Sequence, residues 1–316
     1  MSARDLRFVK TPFYEDPSNY PLFDIGAALE ERGLKFKIRS SGRQLIGRAS
    51  VRFGTLRNFF RASGPLLIPF MGIHDRDVFP YCYWTELVPV LFDCWPHYFD
   101  WWESFFIRYR IRLAFFTARQ SAEYFSKKLP GTTCIWLPEA TDPRLYDPGD
   151  LLISREIDVL EFGRKHANLH DKIRPALEEA GYVHTYQRAP RQFIFPDRAA
   201  LCKGLCKAKI SICVPASVTH PERSGWVITT THRYFESMAA RCILLGICPP
   251  ELTDLFGYNP MLEIEEGREA GQILDILKDP GAYQSLVDRN YETLLERGTW
   301  SSRVGDISHW VDKVCI

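Results

Sequence analysis

The residues best suited to hold a ligand form one run, Thr229-Thr230-Thr231-His232-Arg233-Tyr234-Phe235-Glu236, which leads into Ser237-Met238-Ala239-Ala240-Arg241-Cys242-Ile243-Leu244-Leu245-Gly246. Threonines favour helix N-caps. A helix start preceded by a strand and a loop presents unpaired N–H groups and the positive end of a dipole, which suits a diphosphate. Arg233 in the first turn adds a charge-assisted contact. Glu236 follows on the same helical face, where its carboxylate can accept two hydrogen bonds from a ribose diol. Phe235, Met238 and Ala239 form the apolar side. The plain alternative is a capped helix with a surface Arg-x-x-Glu pair.

Other loops carry chemistry as well. In Phe162-Gly163-Arg164-Lys165, the glycine lets the backbone approach a ligand and two cations can neutralise a pyrophosphate leaving group. Gly72-Ile73-His74-Asp75-Arg76-Asp77 and Phe92-Asp93-Cys94-Trp95-Pro96 each follow a strand. Such loops face the ligand crevice of open α/β sheets. His74, Asp75 and Asp93 are rival bases for an acceptor hydroxyl, and Trp95 either stacks on a sugar ring or caps the core. Asp75-x-Asp77 also matches a short metal-binding pattern, although turn capping explains it better. His166 and His170 stand four apart, as a helical metal pair would, but no third ligand is evident. No resident metal or cofactor is expected.

Positioning these groups requires a scaffold, and the pattern supplies one. Strand-like runs and helical segments alternate almost throughout the 316 residues, which argues for α/β architecture with parallel sheets. Strands are expected over 34–38, 66–70, 88–92, 111–116 and 133–137, with helices over 23–32, 97–110 and 119–129. A turn-rich stretch with Pro138, Pro143 and Pro148 then breaks the pattern. The reading places one domain over 1–145 and a second over 146–316. In the second, strands are expected over 157–162, 182–186, 209–214 and 242–246, and helices over 169–180, 196–207, 231–240, 271–278, 281–297 and 303–314. Residues 215–227 read as a loop.

Composition narrows the class. The net charge is +1, so no whole-molecule field favours a polyanion. There is no signal-like apolar core near Met1 and no run of roughly 18 apolar residues. Nine cysteines without a Cys-x-x-Cys pair read as reduced, mostly buried thiols. A soluble, cytoplasmic protein is the expectation. Aromatic residues make up 14% and concentrate between Phe59 and Phe116; they read mainly as core, although Trp101 and Trp102 cannot both point inward.

The string from Arg233 to Leu245 resembles the donor-site signature of group-1 glycosyltransferases of GT-B fold, and is most similar to the spore-maturation-protein-like subgroup. Leu252–Leu255, Met261–Ile264, Leu277-Lys278-Asp279-Pro280 and Trp300-Ser301-Ser302-Arg303 are similar to that family's C-terminal ending. The resemblance implies two Rossmann-like domains facing across a cleft, with the nucleotide-sugar donor on the C-terminal one and the acceptor on the other. It implies that the last helix returns to the N-terminal domain. It assigns the ribose to Glu236 and the diphosphate to Gly163, Arg164 and a lysine, either Lys165 or Lys172; the N–H groups of Thr230 and Thr231 and the side chain of Arg233 join them from the helix-start geometry alone. Glu139 falls in a segment that touches the donor. The family has a second, sugar-contacting glutamate eight residues before the first; here that position is Ile228. The expected reaction is metal-independent transfer to an acceptor hydroxyl of a glycan, small molecule, protein or nucleic acid. Two alternatives are a transferase acting on a modified nucleic-acid base, with Arg43, Arg48, Arg52, Arg57 and Arg61 as its basic run, and a non-catalytic nucleotide-sugar-binding protein. No Gly-x-Gly-x-x-Gly follows a strand, which speaks against a dinucleotide enzyme.

Overall fold

The computed structural model describes residues 6–10, 19–38, 64–73, 78–79, 81–83, 85–147, 149–163, 165–189 and 192–315. His74, Asp75, Asp77, Arg164 and the basic run Arg43 to Arg61 lie outside these residues. The chain divides into two compact units. One comprises Met1–Pro138, Ser224–Val227 and Trp300–Ile316, and the other Glu139–Arg223 and Ile228–Thr299.

The first unit holds a six-stranded parallel sheet in the order β2-β1-β3-β4-β5-β6. Its strands are β1 Arg7–Lys10, β2 Lys35–Ile38, β3 Leu66–Met71, β4 Leu87–Phe92, β5 Leu113–Phe116 and β6 Thr133–Trp136. The helices α1 Tyr20–Glu31, α2 Phe99–Tyr109 and α3 Arg119–Lys128 connect them. β4 is buried along its whole length, which explains its continuous apolar run; a strand covered on both faces has no polar side to alternate with. β1 is not anticipated by the sequence reading, because four residues with charged ends carry little periodicity.

The aromatic excess is largely the core of this unit. Phe70, Phe105, Phe106 and Trp102 are all buried, and Phe70 meets Trp102 edge-on at 5.5 Å. Trp101, half-buried and one turn before Phe105 on α2, stacks along it at 5.5 Å. Trp95 is 3% exposed, so it belongs to the core and offers no face to a sugar ring.

The second unit holds a five-stranded parallel sheet in the order β11-β10-β9-β7-β8. Its strands are β7 Ile157–Glu161, β8 His184–Tyr186, β9 Ala208–Cys213, β10 Ile243–Gly246 and β11 Leu262–Glu263. The intervening helices are α4 Ala167–Glu179, α5 Arg198–Cys206, α6 Ala216–Thr219, α7 Pro221–Ser224, α8 His232–Ala239, α9 Pro250–Phe256, α10 Glu269–Lys278 and α11 Gln284–Arg297. The segment expected as a loop over 215–227 therefore contains two four-residue helices. They are too short for a 3.6-residue period to register. Val159, Ile173, Ile210, Ile212, Ile243, Leu245 and Ile273 form the core between sheet and helices.

The closing helix α12, Trp300–Cys315, belongs to the first unit and packs on α1 and β5. Trp300 sits against Phe92 at 6.1 Å. Arg303 is buried, and its Nε donates to the carbonyl of Pro138 at 3.0 Å. No described helix is long and apolar enough to cross a membrane.

Candidate functional site

Both sheets change winding direction once. In the second unit β8 lies on one side of β7, while β9, β10 and β11 lie on the other. The carboxyl ends of β7 and β9 thus flank a topological switch point, where open α/β sheets bind ligands. β7 ends at Glu161 and runs into Phe162-Gly163; β9 ends at Cys213.

Helix α8 is clamped over these strand ends. Ser237 Oγ lies 2.7 Å from Ser211 Oγ on β9, and the Tyr234 hydroxyl donates to the carbonyl of Ile247, just past β10, at 3.0 Å. Residues Tyr234 to Ala239 are all buried. The first turn is consequently fixed, and Arg233 is aimed at the β7 loop. Its Cζ stands 5.3 Å from the centre of the Phe162 ring. A Cβ built on Gly163 would collide with the guanidinium, and Gly163 has φ +70°. Glycine suits the left-handed backbone best, and any side chain there would push the end of Arg233 aside. Gly163 and Arg233, 70 positions apart in the chain, are brought together at the switch point.

One turn along α8, Glu236 is 1% exposed. The Tyr146 hydroxyl donates to its Oε1 at 3.3 Å. Its Oε2 is buried with no hydrogen-bond partner among the described residues. His232 lies above it, with Nε2 3.9 Å from that Oε2, and its Nδ1 is 3.3 Å from Oε2 of Glu139. Burial acts to lower the His232 pKa, but the Glu236 charge and the hydrogen bond to Glu139 outweigh it and hold the imidazole above its ordinary value.

The start of α8 is capped differently from the sequence expectation. Thr231 is the N-cap residue, but its side chain makes no capping bond. Oε2 of Glu139 instead accepts the N–H of His232 at 2.7 Å. Oε1 of Glu251 accepts the N–H of Thr230, together with the Thr229 hydroxyl at 2.7 Å. The Thr230 amide is therefore already satisfied in this structure. The sequence reading does not single out His232, Tyr146 or Glu251. No local spacing signals Tyr146 or Glu251, because their partners come from distant segments; His232 stands four residues before Glu236, and that i,i+4 spacing is the signal that could have found it.

The remaining candidates are distributed as follows. Lys165 places Nζ 5.0 Å above the Tyr186 ring, beside the Gly163 loop. Lys172 points elsewhere, pairing with Glu269 of α10 at 2.5 Å. Asp93 closes β4 in the first unit with φ +53°, a left-handed position that Asp tolerates better than most residues, and its carbonyl accepts the N–H of Trp95 at 2.9 Å. His166 and His170 do not form a pair. His166 caps α4 by accepting the N–H of Leu169 at 3.2 Å, while His170 turns inward to Glu161 at 2.6 Å.

No family model and no curated protein matches the chain by sequence. Solved structures do match it over its whole length. One is sucrose-phosphate synthase from Thermosynechococcus elongatus, at 10% identity and TM-score 0.61, covering 98% of both chains. Another is Anabaena HepE in complex with UDP, at 12% identity and TM-score 0.60, covering 99% of this chain and 100% of that one. The fold is that of GT-B glycosyltransferases. A third similar structure is an alpha-glucosyltransferase in complex with UDP and a 13-mer DNA containing a HMU base, at 10% identity and TM-score 0.59, covering 97% and 99%. At these identities the likeness is one of fold.

Proposed function

We propose that this chain is a glycosyltransferase that moves a sugar from a nucleoside-diphosphate donor, held on the second unit, to an acceptor hydroxyl. The observation that carries the reading is the Arg233 guanidinium packed on Gly163 at the β7–β9 switch point, with buried Glu236 one turn along the same helix. A diphosphate at this place meets Arg233 and Lys165, with Arg164 added from the sequence and Thr231 at the helix start. Glu236 takes the ribose diol through its unpartnered Oε2, with His232 turning aside to admit it. Fixed cations at a departing diphosphate supply the large electrostatic part of such catalysis. Asp93, His74 or Asp75 of the first unit takes the proton of the acceptor hydroxyl. The charge of the leaving group is met by side chains, so turnover should not depend on added Mg²⁺ or Mn²⁺.

The finer placement, among the spore-maturation-protein-like transferases, rests on the string Arg233 to Leu245. Free thiols at all nine cysteines fit a cytoplasmic setting. A second reading, transfer onto a nucleic-acid base, is favoured by the similar structure that carries DNA. Salt-dependent competition by DNA separates it from transfer to a glycan, small molecule or protein.

The deciding experiment is a thermal-shift and calorimetry screen of UDP, GDP, ADP, CMP and dTDP and their sugars. A binder raises the melting temperature by mass action. One nucleoside diphosphate should bind clearly above the rest, and its sugar should be hydrolysed slowly without acceptor. Binding without any turnover would turn the reading to a non-catalytic nucleotide-sugar receptor, and no binding at all would remove it.

A further inference from the structure

Under the loop that carries Gly163, three ligating side chains converge from three elements. Glu161 ends β7, His170 lies on α4 and His184 opens β8. Oε1 of Glu161 accepts from Nδ1 of His170 at 2.6 Å and from Nε2 of His184 at 2.8 Å. The ligand atoms lie within 4.8 Å of one another, and no other such group of His, Cys, Asp and Glu occurs among the described residues. The side chains are closed off from solvent, at 3% exposure for Glu161, 8% for His170 and 3% for His184. The Tyr186 ring covers both imidazoles, at 4.5 and 4.7 Å.

Hydrogen bonding leaves this cluster incomplete. The second carboxylate oxygen, Oε2 of Glu161, and Nδ1 of His184 are buried without hydrogen-bond partners among the described residues. A carboxylate placed in the interior is ordinarily bonded at both oxygens, because an unmet one is costly. A cation beside the carboxylate satisfies that oxygen without a further donor. The donor set is also selective. Two imidazole nitrogens and one carboxylate suit a borderline first-row ion, whereas Mg²⁺ and Ca²⁺ prefer oxygen alone.

We propose that Glu161, His170 and His184 bind a divalent first-row transition ion, with Zn²⁺ as the natural probe and water at the fourth position. On binding, the protons on Nδ1 of His170 and Nε2 of His184 move to the other ring nitrogens or to solvent, and the freed lone pairs ligate the ion. The present nitrogen–oxygen separations are hydrogen-bond lengths. They open to about 3.3 Å around a tetrahedral ion with bonds of about 2.0–2.1 Å, a movement of roughly half an ångström. The ion ties β7, α4 and β8 together immediately before Phe162-Gly163. Its role is to hold that loop in place, and no step of the proposed transfer passes through it.

The test uses the full chain, stripped with chelator, dialysed and titrated with ZnCl₂ by calorimetry, and separately loaded with Co²⁺. The expected result is one saturable Zn²⁺ per chain, a raised melting temperature, and a cobalt spectrum of tetrahedral nitrogen–oxygen type without a thiolate charge-transfer band. Glu161→Gln and His184→Gln should each weaken Zn²⁺ binding by more than about 100-fold, beyond the usual loss for an outer-shell partner. Three results overturn the proposal: no saturable Zn²⁺ binding by the unmodified chain, unchanged binding in both variants, or a thiolate band that puts the ion on the cysteines. The cobalt spectrum needs no variant, so it decides the ligand class even if a substitution prevents folding.

Discussion

Oε2 of Glu139 accepts the backbone N–H of His232 at 2.7 Å, so a carboxylate from the segment after β6 closes the first turn of α8. It does the work that the adjacent threonines do not, since Thr231 makes no side-chain cap. Glu139→Ala removes this cap and should lower unfolding free energy by about 0.5–2 kcal/mol. Glu139→Gln keeps an acceptor oxygen and should lose less. Urea unfolding of the two variants checks both statements, and equal losses would place the effect in charge instead of capping.

His232 predicts a pH dependence. Burial opposes its charge, but Glu236 and then Glu139 raise its pKa above 6.5 in the folded chain. A group with a raised folded pKa contributes stability that is complete below its unfolded value and is lost as pH rises through the folded one. The melting-temperature gap between the unmodified chain and His232→Gln should therefore be widest below pH 6.5 and shrink above it. Melting curves across pH 5.5–8.5 read this directly, and a gap that widens with pH would be contrary to it.

Gly163→Ala should harm binding more than folding. The backbone there has φ +70°, which costs an L-residue about 1–2 kcal/mol. The added methyl also displaces the Arg233 guanidinium. A loss of nucleoside-diphosphate affinity of about tenfold or more, near 1.4 kcal/mol, is expected in calorimetry. Arg233→Ala should lose a similar factor without the strain.

Glu236→Ala should separate binding from stability. Hydrogen bonds to a charged group contribute about 1.5–3 kcal/mol, so nucleoside-diphosphate affinity should fall roughly 10- to 100-fold. The melting temperature should move less than the affinity, because one of the two buried oxygens removed has no hydrogen-bond partner among the described residues, although the Tyr146 hydroxyl loses its acceptor. Unchanged affinity would take Glu236 out of the donor site.

Arg303→Met tests how α12 is held. Burial brings the guanidinium pKa down to about 10, and its loss leaves the Pro138 carbonyl without a donor. A destabilisation of about 1–3 kcal/mol is expected, read by urea unfolding, with nucleotide affinity nearly unchanged because Arg303 and the donor residues belong to different units.

The architecture was legible wherever burial imposes a period. The strands β3 and β4, the helices α2 and α3 and the β7–α4 unit follow from apolar runs and punctuating glycines. β1 and β11 escape because two to four residues hold no period. The 215–227 segment hides its short helices for the same reason. Trp95 shows the opposite limit, since an aromatic after a strand reads equally as platform or core until its burial is seen.

Local chemistry was determined by the sequence alone: an Arg and a Glu on one helical face, a glycine followed by cations after a strand, and thiols without metal spacing. Their combination was decided only by the tertiary structure. Parallel sheets set sequence-distant strand ends side by side, so Gly163 meets Arg233, Glu139 and Glu251 take the amides around the α8 start, and His170 finds Glu161 and His184 instead of His166. A contact between segments separated by tens of residues depends on strand order and helix packing. Neither is written in the spacing of the residues that touch.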